Sequence, residues 1–330
     1  MMHRITLHPT NMSGGSAGIA FGPDNRLERG AAADKPEANY ASPLNPRNAA
    51  FHSFRVGDLE IFQLFDGATS RELDQAIFKN VGVDEVSSSL EAAGFSKNRM
   101  PNSYTITIAR IGGQLVMFDS GNGESGQPAS GHLHRNMLLA GLSPTDISKI
   151  VITHFHPDHI FGLMSNAGEQ IYPDVEILVP AAEYSFWTDP DCINQLPQSR
   201  VALARRIQAT LPTWNNISQY DANKDVLPGI HAIPTYGHSP GHTSLLLSSG
   251  NAQLMVSGDV TNVPVLNMHH PHWHLAADHD PHLAAETRIR MLDRVAADGI
   301  VCTGYHWGMP GAGTIIRDGD GYALVPTAMD

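Results

Sequence analysis

Basic residues are scarce in this chain: Lys and Arg total 21 against 33 Asp and Glu in 330 residues, a net charge of −12 with histidine neutral. No basic stripe is available to follow a phosphate backbone, so nucleic acid is not an expected partner. Cysteine is scarcer still. Cys192 and Cys302 stand far apart in unlike contexts, which excludes a disulfide framework and suits two small buried hydrophobes. Long apolar runs are missing as well, and no membrane association is expected. The start lacks the basic segment and continuous apolar core of a secretory signal, since Ile5-Thr6-Leu7 runs at once into His8-Pro9. As written, the chain is expected in the cytoplasm, with periplasmic export open if a signal has been removed. What remains is a globular protein long enough to bury a large core and to act on a small-molecule substrate.

Histidine, by contrast, is abundant, with 18 residues. Four metal-capable side chains fall in the single stretch Thr153-His154-Phe155-His156-Pro157-Asp158-His159, directly after the apolar run Ile150-Val151-Ile152. That run reads as a buried strand. His154 and His156, two apart in extended backbone, then point the same way. Pro157 suits a first helical turn that carries Asp158 and His159 back towards the same point. The stretch is shaped for two metals.

Residues 1–52 are rich in Gly, Ala, Ser, Asn and Pro without periodicity and read as an extended or disordered arm. An arm that wraps a second copy, making a homodimer, is the other reading. Residues 53–330 read as the folded domain. Leu59 to Phe65 alternates as a strand before an Asp66-Gly67 turn, and residues 83–95 have helical spacing. Two strands flank Gly112-Gly113 as a hairpin, the second ending in Asp119. Ser143-Pro144-Thr145-Asp146 carries helix-start signals. Residues 175–179 form a strand, followed by a helix with Tyr184, Phe186 and Trp187 and a second helix over 201–211. Strands at 230–235, 245–247 and 254–256, a helix over 284–297 and a last core strand at 300–302 complete the series. Hairpins first, helices between, then a second similar series predict an α/β (α+β) fold of two sheets face to face with helices outside.

Three later sites answer the first stretch: His238 and His242 in the Gly-bounded loop Tyr236-Gly237-His238-Ser239-Pro240-Gly241-His242-Thr243, Asp259 in Ser257-Gly258-Asp259, and His306 in Gly304-Tyr305-His306. Each follows a strand, and strand ends share a rim. On these residues the chain resembles the metallo-β-lactamase superfamily, whose pattern is His-x-His-x-Asp-His, then a Gly-His loop, an Asp and a last His. Within it the chain looks most like the methyl parathion hydrolase and quorum-quenching lactonase branch, on Asn223 to Ile230, the His238 to Thr243 loop, Phe186-Trp187, and the segment from Pro310-Gly311-Ala312-Gly313 to Gly321-Tyr322.

The resemblance implies an αββα sandwich of two mixed sheets over 53–330 and a metal-dependent hydrolase. It implies that His154, His156 and His238 hold one divalent ion and Asp158, His159 and His306 the other, with Asp259 bridging. An N/O set without thiolate suits zinc, with Mn, Fe or Co as substitutes. Asp158 and Asp259 would serve catalysis with a hydroxide bridging the two metals as nucleophile. Asp119 and His242 would steady the ligands from behind. Trp187, Asn262, Trp273, His274 and Trp307 are the candidate lining of the substrate pocket. The histidine-rich loop His269 to His282 raises a third metal site as a further option, rim histidines being the commoner outcome.

The expected reaction is hydrolysis of small neutral esters: a lactone, an aryl or carboxylic ester, or an organophosphate triester. Asn262 stands where quorum-quenching lactonases often carry a Tyr, which points away from acyl-homoserine lactones towards other lactones. A thioester hydrolase of the glyoxalase II type and an iron-dependent persulfide dioxygenase share the ligand pattern and are the alternatives.

Overall fold

The computed structural model of the protein describes residues 49–328. The arm expected over residues 1–52 therefore falls outside the described residues as far as residue 48. The first strand begins slightly earlier than the expected start of the folded domain, at Phe51.

The first sheet is built in chain order. β1 (Phe51–Val56), β2 (Leu59–Glu72), β3 (Arg99–Ile111) and β4 (Gln114–Phe118) form an antiparallel meander, with α1 (Val83–Ala92) between β2 and β3. β5 (Ile147–Val151), β6 (Glu176–Pro180) and β7 (Ile217–Tyr220) then join in parallel. Parallel pairing needs crossovers. These are supplied by α2 (Leu133–Leu139), α3 (Pro157–Ile160), α4 (Ala181–Thr188) and α5 (Gln198–Thr210).

The second sheet runs β8 (Asp225–Leu227), β9 (Ile230–Pro234), β10 (Thr243–Ser249) and β11 (Ala252–Val256), all antiparallel. α6 (Pro264–Asn267) and α7 (Pro281–Asp298) follow, and β12 (Val301–Thr303) pairs parallel to β11. β13 (Ala312–Asp318) and β14 (Gly321–Pro326) close it. Each sheet has seven strands.

Alternation decides the layers. Val116 and Phe118 of β4 face Leu245, Leu247, Leu254 and Val256 of the other sheet, while Leu115 and Met117 face α2 and the helices beside it. In β10, Leu246 turns out towards Met291, Leu292 and Val295 of α7. Both faces of both sheets are thus covered, with helices outside two central sheets. Each fully buried leucine in that central layer is worth about 1.5–3 kcal/mol.

Two local expectations change. Asp66-Gly67 is not a turn. β2 runs through it to Glu72 because β3 extends back to Arg99 and offers a partner, and the extra residue is taken up as a bulge between Phe65 and Gly67. Gly67 sits at φ 142°, where a Cβ would lie 2.4 Å from Ala129 O. Freed from a turn, the Asp66 carboxylate accepts hydrogen bonds from Asn122 N and from Leu133 N at the start of α2. The strand at 300–302 is not the last either: β13 and β14 follow as an edge hairpin around Gly319, its strands half exposed.

The two cysteines are free and buried. Among the described residues no helix is long and apolar enough to cross a membrane.

Candidate metal centre

The site lies where the strand ends converge. β5 leads through Ile152 into Thr153-His154-Phe155-His156, and Pro157 opens the one-turn helix α3, which returns Asp158 and His159 to the same place. The β9–β10 loop brings His238 and His242, the end of β11 brings Asp259, and the end of β12 brings His306. The ligand atoms gather as His154, His156, His238 and Asp259, and as Asp158, His159 and His306, those of each group within 4.8 Å of one another.

Asp259 stands between the groups. Its Oδ1 is 3.2 Å from His159 Nε2, and its Oδ2 is 3.2 Å from His238 Nε2 and 3.0 Å from His306 Nε2. Asp158 Oδ2 lies 3.7 Å from His159 Nε2 and 3.5 Å from His306 Nε2. These are the separations expected between ligands that each lie about 2.0–2.2 Å from a shared ion.

Outer partners dictate which nitrogen faces inward. His159 Nδ1 donates to Asp119 Oδ2 at 2.8 Å, His306 Nδ1 to Ser103 O at 2.8 Å, and His238 Nδ1 to Asp278 Oδ1 at 2.8 Å. His154 Nδ1 donates to Thr153 Oγ1, whose own proton goes to Asp119. Every one of these rings therefore turns its Nε2 inward, the orientation that metal-binding imidazoles adopt. His156 is reversed: its Nδ1 accepts from the protonated Nε2 of His238 at 2.8 Å, a proton that a shared cation would replace.

The residues fit a metal. His154 Nε2, His159 Nε2 and Asp259 Oδ1 are buried without any hydrogen-bond partner, a cost of about 1–3 kcal/mol each that a coordinated ion removes. Charge agrees. Burial pushes His154 and His156 well below the usual imidazole range, so they are neutral donors. For His159 burial acts downward, but Asp259, Asp119 and Asp158 outweigh it and hold the ring well above that range. His238 is likewise lifted against burial, to about 9, by its bonds to Asp259 and Asp278. Burial would raise Asp259, yet His306 and His159 hold it well below the carboxylate range.

Asp119 sits in left-handed backbone at φ 63°, a strained position for a residue with a Cβ. Bonds from Thr153 N at 2.7 Å, Thr153 Oγ1 and His159 keep it there. His242 accepts from Asp259 N at 2.9 Å and bonds Thr235 Oγ1 at 2.7 Å. Burial brings it down to about 3, so it stays neutral and holds the backbone of Asp259.

Four supports escaped the sequence. Glu183, wholly buried on α4, accepts from Phe155 N and Trp187 Nε1 on one oxygen, and from Ser239 Oγ and Gly241 N on the other. It ties the first histidine stretch to the His238 loop. Asp278 orients His238 and is itself held by Arg288, which also donates to the carbonyls of Val260, Pro271 and Trp273. A signal for Arg288 existed: it lies on the buried stripe of α7 with Ala284, Ala285, Met291 and Leu292. Tyr305 donates its hydroxyl to the backbone carbonyl of Asp158. Spacing alone could not reveal Glu183 or Asp278.

The site opens into a cavity of ≈ 260 Å³, lined by Asp158, Asp259, His306 and Asn262 and walled by Arg71 and Arg200. Asn262 Nδ2 donates to Asp259 Oδ2 at 2.8 Å. A second space of ≈ 450 Å³ shares His156, Arg71 and Arg200 and is lined by Trp187. The other pocket candidates lie elsewhere. Trp273 packs against Phe78 and His270, Trp307 is buried with its indole donating to Thr261, and His274 stacks edge-on against His282. All three are held by their own neighbours, away from both cavities. The histidine-rich loop holds no third group of metal-capable side chains among the described residues. Its role is to bring Asp278, Leu275 and Ala277 to the site.

The sequence pattern of the Metallo-beta-lactamase superfamily matches residues 97–304. Among solved structures the chain is similar to AidC, a dizinc quorum-quenching lactonase in complex with a product, at 25% identity and a TM-score of 0.75 over 85% of this chain and 98% of that one. It is similar also to AbOPH, a hydrolase in the beta lactamase superfamily, at 26% identity and a TM-score of 0.79 over 86% of this chain and 100% of that one. Ribonuclease Z of Thermobifida fusca (strain YX) is 28% identical over 147 residues, 43% of this chain and 42% of its own length. The chain thus spans under half the length of that curated relative.

Proposed function

The chain belongs to the metallo-β-lactamase superfamily and carries a His/Asp metal-binding cluster; from that premise we propose that it is a hydrolase that cleaves small esters at a dinuclear centre, most simply a lactone, an aryl or carboxylic ester, or an organophosphate triester. One observation carries the reading: Asp259, one of the first group of ligand atoms, also lies 3.2 Å from His159 Nε2 and 3.0 Å from His306 Nε2 of the second, at the floor of a single ≈ 260 Å³ cavity. The likeness to a lactonase and a hydrolase over nearly their whole lengths supports it. We assign His154, His156 and His238 to one ion, Asp158, His159 and His306 to the other, and Asp259 to both. An all N/O set favours zinc.

When bound, two such ions supply a water acidic enough to attack at neutral pH and a Lewis acid for the oxygen that gains charge. The protein supplies the rest. Asp259 is locked from three sides, by Asn262 on Oδ2, His242 on its backbone and the imidazoles around it, so it keeps the two groups in register. Asp158, 20% exposed and in the cavity lining, would hold an ion through Oδ2, which leaves its other oxygen to take the proton of the attacking water and return it to the leaving alkoxide. Tyr305 fixes the backbone of Asp158. The size of the cavity supports a small substrate, and the excess of acidic residues supports the absence of a nucleic-acid partner.

The test is a parallel panel on metal-replete protein: lactones, p-nitrophenyl esters, phosphotriesters, a glutathione thioester and a β-lactam, ranked by kcat/KM. Esters or lactones should lead, with about two metal equivalents per chain. A leading thioester, or a single iron with persulfide-dependent oxygen uptake, would overturn the reading.

A further inference from the structure

A protein with a net charge of −12 collects three cations around one opening. Arg71 and Arg200 wall both cavities, and Lys79 joins them at the second. Arg200 stands in the first turn of α5, half buried, beside His156. Its one hydrogen bond goes to a neutral acceptor, Ala277 O at 3.3 Å, and it has no ion pair among the described residues. A third guanidinium, behind the site, shows the contrast. Arg288 is fully engaged by Asp278 and three carbonyls, so it serves the framework. Asp158, Glu183, Asp259 and Asp278 act on Arg200 only across a distance and none pairs with it, Asp158 and Asp259 turning their oxygens to His306 and its neighbours.

A half-buried guanidinium that faces a cavity and has no ion pair at contact distance is matched by a ligand oxyanion, because its planar fork binds a carboxylate through two parallel bonds. We propose that the substrate carries a carboxylate on the arm remote from the bond cleaved, and that Arg200, with Arg71 beside it, receives that group. The inference rests on the ester-hydrolase reading and names its substrate class: small esters or lactones with one anionic end. Binding is then two-point, the ester carbonyl at the histidine floor and the carboxylate at the arginine wall. This revises the expectation of a neutral substrate. Overall charge excludes an anionic polymer, whereas two or three local cations suit one anionic group.

The experiment compares mono-p-nitrophenyl glutarate with its methyl ester, p-nitrophenyl methyl glutarate, on the metal-replete full chain. These share the bond cleaved and differ in the remote charge. Wild type should favour the free acid roughly tenfold or more in kcat/KM, chiefly through KM. Arg200→Gln should collapse that ratio towards one, Arg71→Gln should lower it by less, and Arg200→Lys should keep part of it. Added salt should narrow the wild-type ratio. Metal content and melting temperature report whether each variant is intact, and Arg71→Gln carries the test if Arg200→Gln does not fold. A wild-type ratio at or below one overturns the proposal, as does a ratio that stays intact in every variant. Turnover of neither ester by metal-loaded wild type, with every ester and lactone of the panel also inert, sinks the ester reading itself. Good turnover of the methyl ester with no charge preference sinks only the arginine assignment.

Discussion

The floor and the wall of the cavity are built to different rules. On the floor, His154, His159, His242 and Asp259 are buried and each has its orientation set by at least one named partner. On the wall, Arg71 is exposed, Arg200 has a single carbonyl contact, and Asn262 is half buried. A metal site tolerates little misplacement, so the chain spends buried hydrogen bonds on it. A specificity surface needs groups left open to a ligand. The chemistry of the molecule is therefore rigid where its selectivity is adjustable.

The contrast can be broken most severely at the floor. His154→Ala and Asp259→Ala should each lower kcat/KM by at least about a thousandfold while circular dichroism stays native. Near-wild-type turnover in metal-controlled buffer would contradict the assignment.

One layer further out, Asp278→Asn should weaken metal affinity about 10–100-fold, read by chelator competition. The reason is that His238 loses the carboxylate that aims its Nε2. An unchanged affinity would show that the ring is held by packing alone.

Glu183→Gln should cost about 2–3 kcal/mol of stability in urea unfolding, because an amide cannot accept from all four donors that now converge on the carboxylate. A wild-type midpoint would separate Glu183 from the joining of the two histidine loops.

The smallest effect is a pH slope. The inward nitrogen of His238, whose pKa is raised to about 9, must lose its proton before it can bind an ion. Metal affinity should thus rise as pH climbs towards 9 and fall as pH drops, with proton release seen as a buffer-dependent binding heat. His242, brought down to about 3 and kept off the ions by its bonds to Thr235 and Asp259, should add nothing to that slope near neutrality.

Much of the floor was legible because its residues are dense in sequence. His154, His156, Asp158 and His159 share one strand-to-helix turn, and turn chemistry is local: extended backbone before Pro157, helical after it. The alternation in β4 and β10 likewise announced a layer on each side of each sheet. The bulge at Asp66-Gly67 was hidden because whether a chain turns or continues depends on the length of its partner strand, here β3. Trp273 and Trp307 looked like pocket walls and are core, since a tryptophan's role depends on what packs against it.

The order of ligands along the chain, the absence of thiolate among them and the low count of basic residues were settled by the sequence alone, because they depend only on which side chains exist and how local backbone presents them. Asp278 behind His238, Arg288 behind Asp278, Glu183 between two loops and Arg200 at the mouth were decided by the tertiary structure. Each joins segments distant in the chain, and a buried hydrogen bond or an unanswered charge is a property of neighbours in space.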